Sequence, residues 1–429
     1  MLVTADWILP ISNGPIRSGG VLVDAGRIVA VGPTRELASH ELAAERHDFD
    51  GCIISPGLVN AHTHLTLTAL HGVVPPLRFT EWLPKLVAAM KPWEVADHEA
   101  SGVLGAEECL ASGVTCVGDI AYGAAEVSRA SAAGLGGVYY WELLGLDPAA
   151  IDSHLDYLRY PQERNAYGPR VVAGLSPHAP YSCSPALLAA TDAKARALGV
   201  PLAIHVAESA AEVELMHLGT GPLLGVAERN MPGFRPPGTS TVCYLAALGA
   251  LDDATAVHVC HLEPGDIGLL AQHARGVVTC PRSNAYLHNP VPEIGPLLDA
   301  DIPVGIGTDS SASNHDLNLM AEVRTLLELQ PELGPDAVLR MATLSGARAI
   351  GVEDRFGSLE AGKSADLSVF RVREAEVPVP AFVDAAGADT VEAVLAGGVW
   401  RVYGGVLLSR DAEAAERAAA ARIEALATL

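Results

Sequence analysis

The stretch Pro56–Leu67, PGLVNAHTHLTL, sets two histidines, His62 and His64, two positions apart in an otherwise apolar run. Side chains at i and i+2 of a β-strand share a face, so both imidazoles converge on one point. Convergent imidazoles begin a metal site, but they also suit a pair of core histidines bonded to backbone; two ligands do not complete a site. The pattern recurs along the chain. His178 ends RVVAGLSPH, His205 and Glu208 end PLAIHVAES, His258 and His261 end ATAVHVCHL, and Asp309 lies in PVGIGTDSS. Each follows a run of Val, Ala and Ile, where an ionisable group is costly unless it is partnered. Five such runs ending alike are explained together by one shared site.

Eight short apolar runs have the character of strands: GLVNAHTHL, GVTCVGDI, GGVYYWELL, RVVAGLSPH, PLAIHVAES, ATAVHVCHL, GVVTCPRSN and PVGIGTDSS. Helical patterns lie between them. SPALLAATDAKARALG (Ser184–Gly199) has a serine N-cap, proline at the first helical position and a glycine stop. Strands alternating with helices predict an α/β fold, a (β/α)₈ barrel over residues 56–356. The rival doubly wound sheet would carry a Gly-rich phosphate loop after its first strand, and none is present. In a barrel, the polar strand ends face one cavity. Residues 1–55 and 357–410 read as short strands with turns, such as GGVLVDAGRIVAVGP, and are expected to form a small β-sandwich domain from both chain ends. The Ala/Glu/Arg-rich segment 411–429 predicts a terminal helix. Leu218–Ser240, rich in Gly and Pro, reads as an irregular substrate loop after the fifth barrel strand.

The 429 residues carry a formal charge of −23, which argues against nucleic acid or an anionic membrane surface as partner. A small molecule is the expected partner. No apolar run approaches transmembrane length, and the first residues lack the basic segment of a signal peptide. Seven cysteines without a C-x-x-C pair are expected as buried thiols in a reducing cytoplasm.

In combination and order, PGLVNAHTH, HVAES, HVCHL and GTDSSASN resemble the amidohydrolase superfamily, in its cytosine deaminase-like and chlorohydrolase-like branch. The resemblance spans nearly the whole chain. It implies that His62, His64, His205 and Asp309 are metal ligands, that Glu208 transfers protons, and that His258 contacts the attacking water. Relatives with two metals carry a lysine at the end of the fourth barrel strand; RVVAGLSPHAP has none, so one ion is expected. Three imidazoles and a carboxylate suit Zn²⁺, with Fe²⁺ as the alternative. A base-flipping type of zinc deaminase is excluded, because its P-C-x-x-C motif is missing.

The resemblance further implies hydrolytic deamination of a ring amine, with Asp309 taking a proton from water and Glu208 delivering one to the ring. Glu208 read without it is a hydrogen-bond partner for a ligand histidine. Trp82, Glu94, His178 and Arg282 are candidate substrate contacts. For each a structural role competes: Trp82 and Glu94 as helix residues packed on the barrel, His178 as a cap, and Arg282, with Asn284, as a loop anchor. His71 reads equally as a pocket or a surface residue, and His261 is expected to face away. FTEWLPKL, VYYWELLG and CPRSN resemble the 6-aminodeoxyfutalosine deaminases, making an adenine nucleoside the expected substrate and menaquinone biosynthesis the implied setting. Alternatives are S-adenosylhomocysteine or methylthioadenosine, guanine or 8-oxoguanine, and a chlorotriazine. Some proteins of this fold are non-catalytic scaffolds, but those have gaps at ligand positions that are filled here. Relatives are often homodimers.

Overall fold

A computed structural model describes residues 1–145, 167–373 and 375–429. Its centre is a sheet of eight parallel strands in sequential order: β5 (Leu58–Thr63), β6 (Val114–Ala121), β7 (Gly136–Leu143), β8 (Val171–Pro177), β9 (Leu202–Val206), β10 (Ala254–His258), β11 (Gly276–Thr279) and β12 (Val304–Ile306). All eight expected runs supply one of these strands. Helices follow most of them, and the one over Pro185–Leu198 has the predicted punctuation. Ser184 accepts from Leu187 N, and Gly199 is left-handed at φ 63°.

The sheet curls nearly into a closed barrel, and its seam joins the first strand to the last. Thr63 bridges Asp309, Asp309 N donates to His62 O (3.0 Å), and Asn60 exchanges hydrogen bonds with the Thr308 hydroxyl and amide (2.7 and 3.0 Å). The seam is narrow. A β-carbon on Gly307 would stand 2.6 Å from His62 O, so glycine is the residue the approach allows.

A second sheet draws strands from both chain ends. Its order is β16-β15-β14-β13-β4-β1-β2-β3, with β1 (Leu2–Ile8), β2 (Ile16–Asp24), β3 (Arg27–Pro33), β4 (Arg46–Pro56), β13 (Leu367–Arg371), β14 (Val391–Ala396), β15 (Val399–Tyr403) and β16 (Val406–Leu407). The turn at Ala25–Gly26 is left-handed at both residues (φ 45° and 76°), which suits a two-residue hairpin. The sheet folds over so that hairpin tips meet: Ala365 N donates to Gly26 O, and Gly398 N to Ala365 O. Val3, Val21, Ile28, Leu367, Val369 and Leu395 pack between the two halves as a separate core.

One difference from the sequence reading concerns the cavity rim. The stretch Leu218–Ser240 is not irregular throughout, because it contains a helix over Leu224–Asn230. The stretch with FTEWLPKL is a helix over Phe79–Met90 that buries Phe79, Trp82, Leu86 and Ala89. This helix is backed by the terminal helix Ala412–Thr428, which buries Ala414, Ala418, Ala421 and Ala425 at helical spacing. No described helix is long and apolar enough to cross a membrane.

Gly307→Ala should cost about 1–3 kcal/mol of stability through overpacking at the seam. Denaturant unfolding checks this, and a neutral result would contradict the close approach at the seam.

Candidate metal centre and substrate cavity

The chain turns sharply where the barrel strands end, and the polar groups sit at those turns. His258 and Val259 (φ 74° and 45°), Ala207 (φ 49°) and Asp309 (φ 55°) all adopt the left-handed region that non-glycine residues rarely occupy. Such strain persists where surrounding structure holds it, and it clusters at functional sites. Hydrogen bonds supply the hold. Glu212, with no solvent exposure, accepts from the amides of both Ala207 and Glu208 (2.9 and 3.0 Å). Asp309 receives the Ser283 hydroxyl (2.7 Å) and the Ser313 hydroxyl (3.1 Å) on Oδ2, and the Ser310 amide (2.8 Å) on Oδ1.

The structure brings six of the predicted residues together. Ring centroids of His62 lie 5.0 Å from His64, 5.1 Å from His205 and 5.6 Å from His258. Ligand nitrogens of His62, His64 and His205 lie within 4.8 Å of one another. Asp309 Oδ1 faces two of them, 3.7 Å from His62 Nε2 and 3.6 Å from His64 Nε2. His258 Nε2 stands 4.0 Å from Glu208 Oε1. All six are buried.

This donor set fits one divalent cation. His62 Nε2 is buried with no hydrogen-bond partner among the described residues, a cost that a metal would relieve. His205 Nδ1 donates to His178 O (2.8 Å), which leaves its Nε2 lone pair for coordination. Burial first, then the neighbouring imidazoles, pushes His62 far below the ordinary histidine pKa. Burial pushes His64 down to about 4, although Asp309 opposes the shift. Neutral imidazoles are the form that binds metal. Burial alone would raise Asp309, but the adjacent histidines and the Ser283 hydroxyl outweigh it and hold the carboxylate low. Glu208 goes the other way: burial, then the Asp309 and Glu212 charges, raises it well above the usual carboxylate range.

A cavity of about 670 Å³ opens above these groups, a size that suits a small organic ligand. Its wall includes Phe79, Trp82, Leu83 and Leu86 from the 79–90 helix, and Val226 and Arg229 from the 224–230 helix.

A family model described as the amidohydrolase family matches residues 53–401. The chain belongs to the amidohydrolase family. It is a hydrolase that acts on C–N bonds. A bacterial imidazolonepropionase-like composite domain model also matches residues 19–40. The amidohydrolase is 33% identical to a 5-methylthioadenosine/S-adenosylhomocysteine deaminase of Desulforudis audaxviator, across 99% of this chain and 100% of that protein. It is 34% identical to an aminodeoxyfutalosine deaminase of Deinococcus radiodurans, across 82% of this chain and 85% of that protein. A solved adenosine deaminase from Xanthomonas campestris with bound zinc superposes with TM-score 0.82 at 27% identity, covering 100% of this chain and 98% of that one.

Four predicted substrate contacts divide. Trp82 and His178 line the amidohydrolase cavity. Glu94 does not reach it: it caps the helix Val95–Ala111 and pairs with Arg417 (3.3 Å), largely exposed. That corrects its reading as a substrate contact, because the helix start and Arg417 of the terminal helix engage its carboxylate instead. Arg282 is likewise diverted, since its guanidinium pairs with Asp316 (2.7 Å) and lies 3.8 Å from buried Glu322. It anchors the loop. Asn284, two residues on, is the one that reaches the site, where its Oδ1 accepts from His258 Nδ1 (3.2 Å). His71 lies in a separate hollow with His315 and Arg422 beneath the terminal helix. Sequence reasoning missed Glu142, Tyr181 and Ser182, which line the cavity, and Ser283 and Glu212, which hold Asp309 and the Glu208 turn. Ser283 lay within the PRSN run already singled out; Glu212 follows Glu208 by four residues in a helix and carries no local signal of its role.

His62→Ala should strip the purified protein of divalent metal, as read by elemental analysis; retained stoichiometric metal would overturn the ligand set. Glu212→Ala should destabilise the protein by about 1–3 kcal/mol, because two buried amides lose their acceptor. Unchanged unfolding would show that the turn does not depend on Glu212.

Proposed function

We propose that this amidohydrolase removes the ring amine of an adenine nucleoside by hydrolysis, with 6-aminodeoxyfutalosine as the leading substrate and Zn²⁺, one per chain, held by His62, His64, His205 and Asp309. The observation that carries this reading is the placement of Glu208 and His258, 4.0 Å apart, beside Asp309 at the floor of a cavity with apolar and aromatic walls. Fe²⁺ would serve the same donors. A bound cation would supply the Lewis acid that makes water nucleophilic at neutral pH.

The protein's own groups account for the proton traffic. Asp309 is held in its basic form and takes a proton from the attacking water. His258 has donated Nδ1–H to Asn284 and turns its Nε2 lone pair toward the same water. Glu208, held protonated, passes its proton to the ring nitrogen beside the carbon under attack. That carbon becomes tetrahedral, and the exocyclic nitrogen collects the proton held by Asp309 and leaves as ammonia. The remaining hydroxyl proton returns to the Glu208 carboxylate as the carbonyl forms. Trp82 and Phe79 offer flat apolar faces for the purine.

The second reading is deamination of methylthioadenosine or S-adenosylhomocysteine, favoured by the relative of that name, which aligns over its full length. Against the S-adenosylhomocysteine branch, β7 carries no arginine for an amino-acid carboxylate. The 6-aminodeoxyfutalosine reading carries with it a place in menaquinone biosynthesis.

Ammonia release by metal-loaded protein tests both readings on 6-aminodeoxyfutalosine, methylthioadenosine, S-adenosylhomocysteine, adenosine, guanine and a chlorotriazine. The nucleosides should react, with 6-aminodeoxyfutalosine preferred; turnover confined to guanine or the triazine would reject the proposal. Glu208→Gln should lower kcat by about 10²–10⁴-fold with metal retained, and undiminished turnover would remove Glu208 from the mechanism.

A further inference from the structure

Glu142 is an acidic group in the cavity wall that the deamination steps leave unused. It stands at the end of β7, and strand alternation gives its direction. Val138 and Tyr140 pack in the barrel interior with Val59, Ala61, Ile120 and Ala203, whereas Tyr139, Trp141 and Leu143 pack outward in the larger core. The next inward position is Glu142. It pairs in register with Ser176, two residues before His178.

Depth is graded along this wall. His178 and fully buried Tyr181 lie beside His205, with centroids 4.9 Å apart for His178–His205 and 5.6 Å for His178–Tyr181. Tyr181 feels the charges of both Glu208 and Glu142, and all three line the same cavity. Beyond Glu142 come the exposed rim residues Tyr122 and Leu144. Glu142, half-buried, therefore sits between the buried Tyr181 and the exposed rim. Tyr122 donates a hydrogen bond to its carboxyl group, and burial pushes that group up to about 7. A carboxyl group has capacity for several hydrogen bonds. On the same cavity wall, the Tyr181 hydroxyl and Trp82 Nε1 are buried and have no hydrogen-bond partner among the described residues.

We infer that Glu142 is a specificity-determining residue, forming with the Tyr181 hydroxyl and Trp82 Nε1 a subsite for vicinal hydroxyl groups that follow the reacting ring, as in a ribose diol. The inference rests on the nucleoside reading and names the residues that tell a ribonucleoside from its deoxygenated analogues. A carboxylate accepting two hydroxyls recognises a diol in a way that the surrounding apolar wall cannot.

The test compares adenosine with 2′,3′-dideoxyadenosine, using wild type, Glu142→Ala, Glu142→Gln and Trp82→Phe, all metal-loaded and checked for thermal stability and metal content. Wild type should favour adenosine in kcat/KM by about 10–100-fold. Glu142→Ala should raise KM for adenosine by a similar factor with kcat nearly kept, and leave dideoxyadenosine unaffected, so the preference collapses. Glu142→Gln, which can still accept one hydroxyl, should recover part of it. Trp82→Phe keeps an aromatic face and should lose only the donor's share of the preference. Equal losses on both substrates, or a preference intact in folded, metal-bearing Glu142→Ala, would overturn the subsite while leaving nucleoside deamination standing. Deamination of neither nucleoside, with guanine or a chlorotriazine hydrolysed, would overturn the nucleoside reading and the subsite together.

Discussion

The site depends on the seam where the last barrel strand meets the first. His62 and His64 come from β5 and Asp309 from just past β12, some 245 residues later, yet they must present lone pairs to one point within a few ångströms. The backbone bond from Asp309 N to His62 O sets that spacing before any side chain is considered. Asn60 and Thr308 lace the seam one step inward, and Gly307 lets the two backbones approach. Val59, Ala61, Ile120, Val138 and Val278 pack together in the adjoining interior, so the strands have little room to slide. The remaining site residues are hung from this frame: His205 is aligned through the His178 carbonyl and His258 through Asn284.

What could be read from the chain followed from local rules. The two-residue period of a strand put His62 and His64 on one face, and the barrel's strand-end rule gathered His178, His205, Glu208, His258 and Asp309 without knowledge of any distance. The capping residues Ser184 and Gly199 bounded their helix because caps act through bonds to their own neighbours. Glu94 and Arg282 were less legible because a long polar side chain in a connecting segment has its direction decided by partners distant in sequence. Arg417 lies on the terminal helix, and Asp316 lies past the last barrel strand. Glu142 was hidden for the converse reason. Within VYYWELL it reads as one polar residue in a strand, and only the assignment of Tyr140 to the interior reveals that it faces inward.

Glu208 and Asp309 show how one cavity assigns opposite protonation states to two carboxyl groups. Both are buried, so desolvation raises each of them. Asp309 is surrounded by imidazoles and hydroxyl donors, which stabilise its charge and reverse the shift. Glu208 faces that retained charge and the carboxylate of Glu212, and both neighbours favour its neutral form. Ionisation of one therefore opposes ionisation of the other, an arrangement that separates a base from an acid within a single pocket. The acid is also fixed in position by a group that resists its ionisation, because Glu212 grips the backbone of Glu208 while its charge acts on the side chain. Burial at the barrel floor thus couples geometry and protonation: loosening the turn would at once misdirect Glu208 and admit the water that lets it ionise.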